Sequence, residues 1–232
     1  MKEMWYNIMR WFGGIMVTIN DIRKNKEILC YIKEADHALA EMGFTEHALA
    51  HVENCVKVVT EVLSKLNYSS EEINLAQIAA FMHDIGNVIN RVDHAQSGAI
   101  MSFRILDKLG MDSVSISKII NAIGNHDEST ATPVSPMSAA LILADKSDVR
   151  RSRVRQIHAS DFDIHDRVNY AVTKKDIEFD GKEFILKLEI DINICSIMNY
   201  FEIFLKRMIL CQKASDYLNI KFSLIINGAK ML

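Results

Sequence analysis

The sequence predicts a mainly α fold, a helical bundle followed by a small α+β appendage built of a β-hairpin, a helix and a strand. Three observations predict it. Apolar residues recur every three or four positions through most of residues 24–149, the period of an amphipathic helix. Only 2 Pro and 9 Gly interrupt 232 residues. After residue 150 two runs alternate apolar and polar residues around an Asp-Gly pair, the signature of a hairpin.

The elements follow in order. Residues 1–20 form an N-terminal extension rich in Met, Ile, Trp and Phe, interrupted by Arg10 and by Gly13-Gly14. Its apolar run over residues 11–19 is far shorter than the roughly 20 residues of a membrane span, so the extension is expected to pack on the domain. A first helix covers residues 24–42 and stops at Gly43. Thr45 caps a second, along which Val52, Val56, Val59, Leu63 and Leu66 share a face. Ser69 with Glu72 has the form of a capping box opening a third helix, which runs through Ile73, Ala76 and Ala80 to Gly86. Helices are predicted over residues 91–109 and 114–123, each stopped by glycine. Ser135 followed by Pro136 opens another, to about residue 149. Strands are predicted at 176–179 and 183–191, joined by Asp180-Gly181. Ser196 caps a helix to about 218, and Ile220, Phe222, Leu224 and Ile226 alternate again. The domain division read from this pattern is an extension (1–20), a helical metal-binding domain (21–155) and an α+β appendage (156–232).

Composition narrows the function. Hydrophobic residues make up 49% and charged residues 25%, which excludes wholesale disorder. Lys and Arg number 27 against 30 Asp and Glu, a net charge of −3. A cationic nucleic-acid binder would show a basic bias, so double-stranded nucleic acid is not an expected partner. Cys30, Cys55, Cys195 and Cys211 form no CxxC pair and read as reduced, partly buried residues of a cytoplasmic protein.

The histidines and aspartates carry the chemistry. His47 and His51, four apart, share one helix face. His83-Asp84 ends the apolar run Ile78-Ala79-Ala80-Phe81-Met82, and Asp145 ends the run 139–144. An ionised Asp there is costly unless it is paired or bound to metal. His94 and His126 fall between. Imidazoles with carboxylates suit Mn, Fe, Zn or a similar divalent metal. His158 and His165, in a polar stretch, read as ordinary structural residues.

In this order, His51, His83-Asp84 within AAFMHDIGN and Asp145 within LILADKSD resemble the H…HD…D pattern of the HD-domain metal-dependent phosphohydrolases. The resemblance covers about residues 30–150. It implies that these four residues bind a divalent metal inside an all-helical, HD-like bundle. His94 in HAQSG and His126 in NHDE look like the added ligands of two-metal members, with Asp84 bridging both ions. His47 then supports a ligand rather than binding metal. Asn87 stands where many members have Lys, and no Gly-Tyr-Pro follows Asn125-His126, which sets the chain apart from the cyclic-di-GMP phosphodiesterases. The implied function is hydrolysis of a phosphate ester, a mono- or diester of a nucleotide, by a hydroxide held on the metal. Asp84, His83 and Lys146 are the expected catalytic residues, and Lys146 and Arg150 the candidate phosphate contacts. For Arg150 and Arg153 a solvated basic face is the plainer reading. Two alternatives share the ligand set: a diiron oxygenase and a non-catalytic nucleotide-binding module. The appendage is expected to close one side of the cleft or make a homodimer contact.

Overall fold

The computed structural model describes residues 16–155 and 162–232. The early part of the N-terminal extension and His158 lie outside the described residues. Among them, α1 (Ile19–Lys24), α2 (Lys26–Glu41), α3 (Leu49–Lys65), α4 (Ser70–Met82), α5 (His94–Lys108), α6 (Ser113–Gly124) and α7 (Pro136–Lys146) build the bundle. Short 3₁₀ turns at Ile85–Val88 and Arg151–Arg153 follow α4 and α7. After them come α8 (Ile164–Ala171), β1 (Val172–Phe179), β2 (Glu183–Ile190), α9 (Ile197–Tyr217), β3 (Lys221–Ile226) and β4 (Ala229–Lys230).

The capping signals place the helices that matter. The Ser69 and Ser135 side chains each accept from the backbone N–H three residues on, and Glu72 and Ser138 reciprocate. Helix α7 is the central one: Ala139 to Ala144 are fully buried, so its unbroken apolar run is a core helix with neighbours all round. Helices α3, α4, α6 and α9 pack against it.

Several expected boundaries move. The first helix is two, split at Asn25, whose side chain caps α2. Thr45 does not cap α3, which begins after Ala48 with no side-chain cap. His47 therefore precedes the helix, and its backbone N–H donates to Asp36. Helix α4 gives way at His83, so Asp84 and Gly86 sit in the tight turn that follows. Helix α8 was not foreseen; Asp163 caps it by accepting from the Asp166 N–H at 2.7 Å.

The sheet runs β1-β2-β3-β4. β1 and β2 pair antiparallel, β2 and β3 parallel through α9, and β3 and β4 antiparallel. Its inner face joins the bundle: Phe184, Leu186 and Leu224 share one continuous apolar core with Ile142 and Leu143 of α7. No helix among the described residues is long and apolar enough to cross a membrane. All four cysteines are free thiols; Cys55, Cys195 and Cys211 are buried and Cys30 is exposed, a correction to its reading as a partly buried residue.

Candidate metal centre

Five segments converge on one buried cluster. His51 comes from the first turn of α3, His83 and Asp84 from the end of α4, and His94 from the start of α5. His126 follows α6 and Asp145 lies in the last turn of α7. Every one of the four histidines is at most 1% exposed. His126, just past the end of α6, is buried as well.

A glycine crossing holds two of these segments in register. A Cβ on Gly86 would lie 2.0 Å from the His94 carbonyl oxygen and 2.5 Å from the Gly98 nitrogen. A Cβ on Gly98 would lie 3.2 Å from the His83 carbonyl oxygen. Only residues without side chains let the HD turn approach α5 this closely.

The hydrogen bonds then orient each ring. His83 Nδ1 faces the Ala80 carbonyl at 2.8 Å, His94 Nδ1 that of Arg91 at 3.0 Å and His126 Nδ1 that of Ile123 at 2.6 Å. His51 Nδ1 faces the Asp148 carboxylate at 2.8 Å. Each of these partners can only accept, so Nδ1 carries a proton and each Nε2 turns inward, its lone pair open wherever the ring is neutral. The Nε2 atoms face one another in two pairs, His51 to His83 at 3.3 Å and His94 to His126 at 3.2 Å.

The carboxylates stand between the pairs. Asp84 Oδ2 lies 3.3 Å from His83 Nε2 and 3.6 Å from His51 Nε2, while Oδ1 lies 3.4 Å from His94 Nε2 and 3.9 Å from His126 Nε2. Asp145 Oδ1 is 3.3 Å from His51 Nε2 and 3.9 Å from His83 Nε2. Asp84 Oδ2 is buried and has no hydrogen-bond partner. A buried orphan acceptor costs about 1–3 kcal/mol, and the opposed lone pairs of the neutral His94 and His126 rings add to that cost. A cation relieves both. The donor set therefore fits divalent metal, with His51, His83, Asp84 and Asp145 around one position and His94, His126 and the other Asp84 oxygen around a second.

Electrostatics agree. Burial alone would raise the Asp84 and Asp145 carboxyls, yet His83 beside Asp84 and Lys146 beside Asp145 hold both well below the usual range. Burial lowers the His94 imidazole, and burial together with His83 and Lys146 takes His126 down to about 3. Both rings stay neutral and available as ligands. At His51 burial opposes protonation, but Cys55, Asp145 and Asp148 outweigh it and raise the imidazole well above its ordinary value. Positive charge is drawn to that position.

The surroundings contain residues that sequence reasoning missed. Asp148 is fully buried and accepts from His51, from Asn54 at 2.9 Å, from Lys175 at 2.9 Å and from Arg150 at 3.1 Å. Cys55 Sγ lies 3.8 Å from His51 Nε2, in reach of the same position, with its thiol pKa pushed up by burial. The cleft over the cluster is lined by His47, Arg91, Lys146, Arg153 and Arg207 with Asp84, His94 and Asp145. Four cations thus face two carboxylates. Lys146 Nζ is 2.6 Å from Asp145 Oδ2. Arg150, by contrast, is bonded to Asp148, Ser152 and Glu46, and Arg153 takes the place in the cleft wall. His47 sits against His51 with ring centroids 5.5 Å apart. His165 is exposed and pairs with Asp163 at 3.5 Å.

A helical bundle that gathers four imidazoles and two carboxylates from five segments defines a class of metal-binding domains, and a family comparison says which. The HD domain model matches residues 48–170, so this chain belongs to the HD domain family. All six cluster residues fall inside that match, whereas α9 and the sheet lie beyond it. The chain is similar to an uncharacterized protein of Methanocaldococcus jannaschii, 21% identical over 213 residues that cover 82% of each chain. It is also similar to a solved structure titled a predicted HD superfamily hydrolase, from an uncultured Thermotogales bacterium. That match has 28% identity, covers 54% of this chain and 68% of the other, and has a TM-score of 0.43.

Proposed function

We propose that the protein is a metal-dependent phosphohydrolase with a two-metal centre, cleaving the phosphate ester of a small substrate such as a nucleotide. The observation that carries this reading is the position of Asp84, whose two oxygens each face a separate pair of inward-pointing imidazole nitrogens. His51, His83, Asp84 and Asp145 would hold one ion, and Asp84, His94 and His126 the other. Bound there, divalent ions supply an acidified water and charge neutralisation at a phosphoryl group.

The chain's own groups favour an anion at the same place. Arg91, Lys146, Arg153 and Arg207 around the cleft exceed Asp84 and Asp145 by two charges even before metal is counted. Lys146 is 3% exposed and tied to Asp145, so its ammonium is held at a fixed point rather than waving in solvent. It would bind phosphoryl oxygens and stabilise charge growing on them as the water oxygen bonds to phosphorus and the ester P–O bond breaks. His83 and Asp84 serve the reaction by holding the metal.

Metal analysis of the purified chain, with phosphate release from a panel of nucleotides and phosphomonoesters, tests the reading. Wild type should bind about two ions and release phosphate. A His94→Ala, His126→Ala double variant should bind about one and lose most activity. One ion in both proteins with equal rates would reduce these histidines to scaffold, and dioxygen consumption by the iron-loaded chain without phosphate release would favour an oxygenase.

A further inference from the structure

A second cavity of about 160 Å³ opens beside the cluster and shares His47, Arg91 and Arg207 with its wall. The two cavities adjoin, and they differ in sign. The outer one has Arg91 and Arg207 against Glu128, Asp163 and Asp166, a balance of +2 − 3 = −1. The charge at the inner end therefore suits a phosphoryl group at its mouth, and whatever that group is attached to meets a negative outer end.

Asp166 gives that end its specificity. It is only 4% exposed, on the first turn of α8, and the Asp163 backbone N–H is the one donor to its carboxylate among the described residues, which leaves a carboxylate oxygen open to a ligand. Burial and the neighbouring Asp163 push its carboxyl above the usual range. One turn on, Asn169 is 5% exposed; its Nδ2 donates to the His165 carbonyl at 2.9 Å, which leaves its Oδ1 without a donor among the described residues. Two acceptors with capacity to spare, three residues apart on one helix face, thus line the cavity wall. The aromatic surfaces nearby are already engaged: Arg207 lies over the Phe204 ring at 4.7 Å and Arg91 over Phe44 at 5.8 Å. A cationic leaving group would find those faces taken, whereas hydroxyl groups need only the acceptors.

We propose that this cavity, walled by α8, α9 and the turn at residues 44–47, receives the leaving group of the ester, a compact hydroxylated ring whose hydroxyls donate to Asp166 and Asn169. The inference rests on the phosphohydrolase reading for the phosphate end. The cavity is smaller than the roughly 300–1,000 Å³ of pockets for drug-sized ligands, which suits one sugar ring. Such a ring comes either as a free sugar phosphate or as the ribose of a nucleotide whose base extends outward.

The test compares ribose 5-phosphate, adenosine 5′-monophosphate, phosphoethanolamine and cyclopentylmethyl phosphate, which has the ring and a primary leaving oxygen but no hydroxyls. With metal-loaded wild type, ribose 5-phosphate or the nucleotide should exceed cyclopentylmethyl phosphate in kcat/KM by about tenfold or more, as expected where a polar site loses its partner. In Asp166→Ala that preference should fall to about twofold or less, chiefly through KM, and Asp166→Asn should retain part of it. Preference for the nucleotide assigns the ring to a nucleotide, and preference for ribose 5-phosphate to a free sugar. Equal rates on the ring without hydroxyls, a preference for phosphoethanolamine, or an unchanged preference in folded Asp166→Ala would overturn the proposal. Hydrolysis of none of the esters would defeat the phosphohydrolase reading instead. Calorimetric binding of ribose 5-phosphate then decides the cavity: about tenfold weaker binding to Asp166→Ala supports it, and equal affinity overturns it.

Discussion

His51 divides its two nitrogens between two tasks, Nδ1 to the Asp148 carboxylate and Nε2 to the cluster. A carboxylate behind a ligand imidazole fixes its tautomer and raises its basicity, and loss of such a partner costs about 10–100-fold in metal affinity. Asp148→Ala should therefore weaken metal binding by about that factor, measured by competition with a chromophoric chelator. Unaltered affinity in the folded variant would make Asp148 structural. Asp84→Ala should go further, removing both ions and phosphate release together. Asp84 and Asp145 were legible because each is a charge at the end of an apolar run. Asp148 sits three residues past Asp145, outside that run, and its value depends on His51, 97 positions away. Periodicity carries no trace of such a contact. Arg150 illustrates the reverse: a basic run in the sequence advertised charge, but Glu46, Ser152 and Asp148 occupy it.

Between elements, the Gly86–Gly98 approach governs how the HD turn meets α5. Gly86→Ala would force a Cβ to within 2.0 Å of a backbone oxygen, so one strand of the crossing must move. Overpacking of this kind costs about 1–3 kcal/mol and sometimes more, roughly 2–4 °C per kcal/mol in a domain of this size. Gly86→Ala should lower Tm accordingly and, because His94 moves with its carbonyl, reduce metal content. A melting curve and metal analysis on the same sample check both; unchanged values would show that the crossing tolerates a methyl group. Helices opened by a capping box, α4 and α7, were legible in the sequence because the signal is local. Helix α8 was not: its eight residues are polar where periodicity is read, and Val168 and Ala171 find their core only through distant partners. Strand β4 follows Asn227-Gly228, both at positive φ, a two-residue hairpin signal that was present but closes only two residues of strand.

For the whole molecule, the apolar core runs without a break from α1 to β3. A single cooperative transition is expected by calorimetry, with calorimetric and van't Hoff enthalpies equal. Two resolved transitions would show that bundle and sheet melt apart. The contribution of α9 to the cleft was beyond sequence reasoning: Arg207 is one cation among many until α9 packs along α7 and brings it beside Glu128 at 2.9 Å.

The facing imidazoles also bear on the lifetime of the chain. Ligands that arrive from five segments make any bound ion a cross-link among them, and the metal-free chain lacks that cross-link and keeps Asp84 Oδ2 without a partner. Anything that binds only the folded form adds stability by mass action, about 4 kcal/mol at a thousandfold excess over Kd. Removal of metal should thus expose the molecule to digestion: with a chelator present, a metal-independent serine protease should digest it markedly faster, and readdition of metal should restore resistance. Equal half-lives with and without metal would mean that the bundle holds its shape unaided.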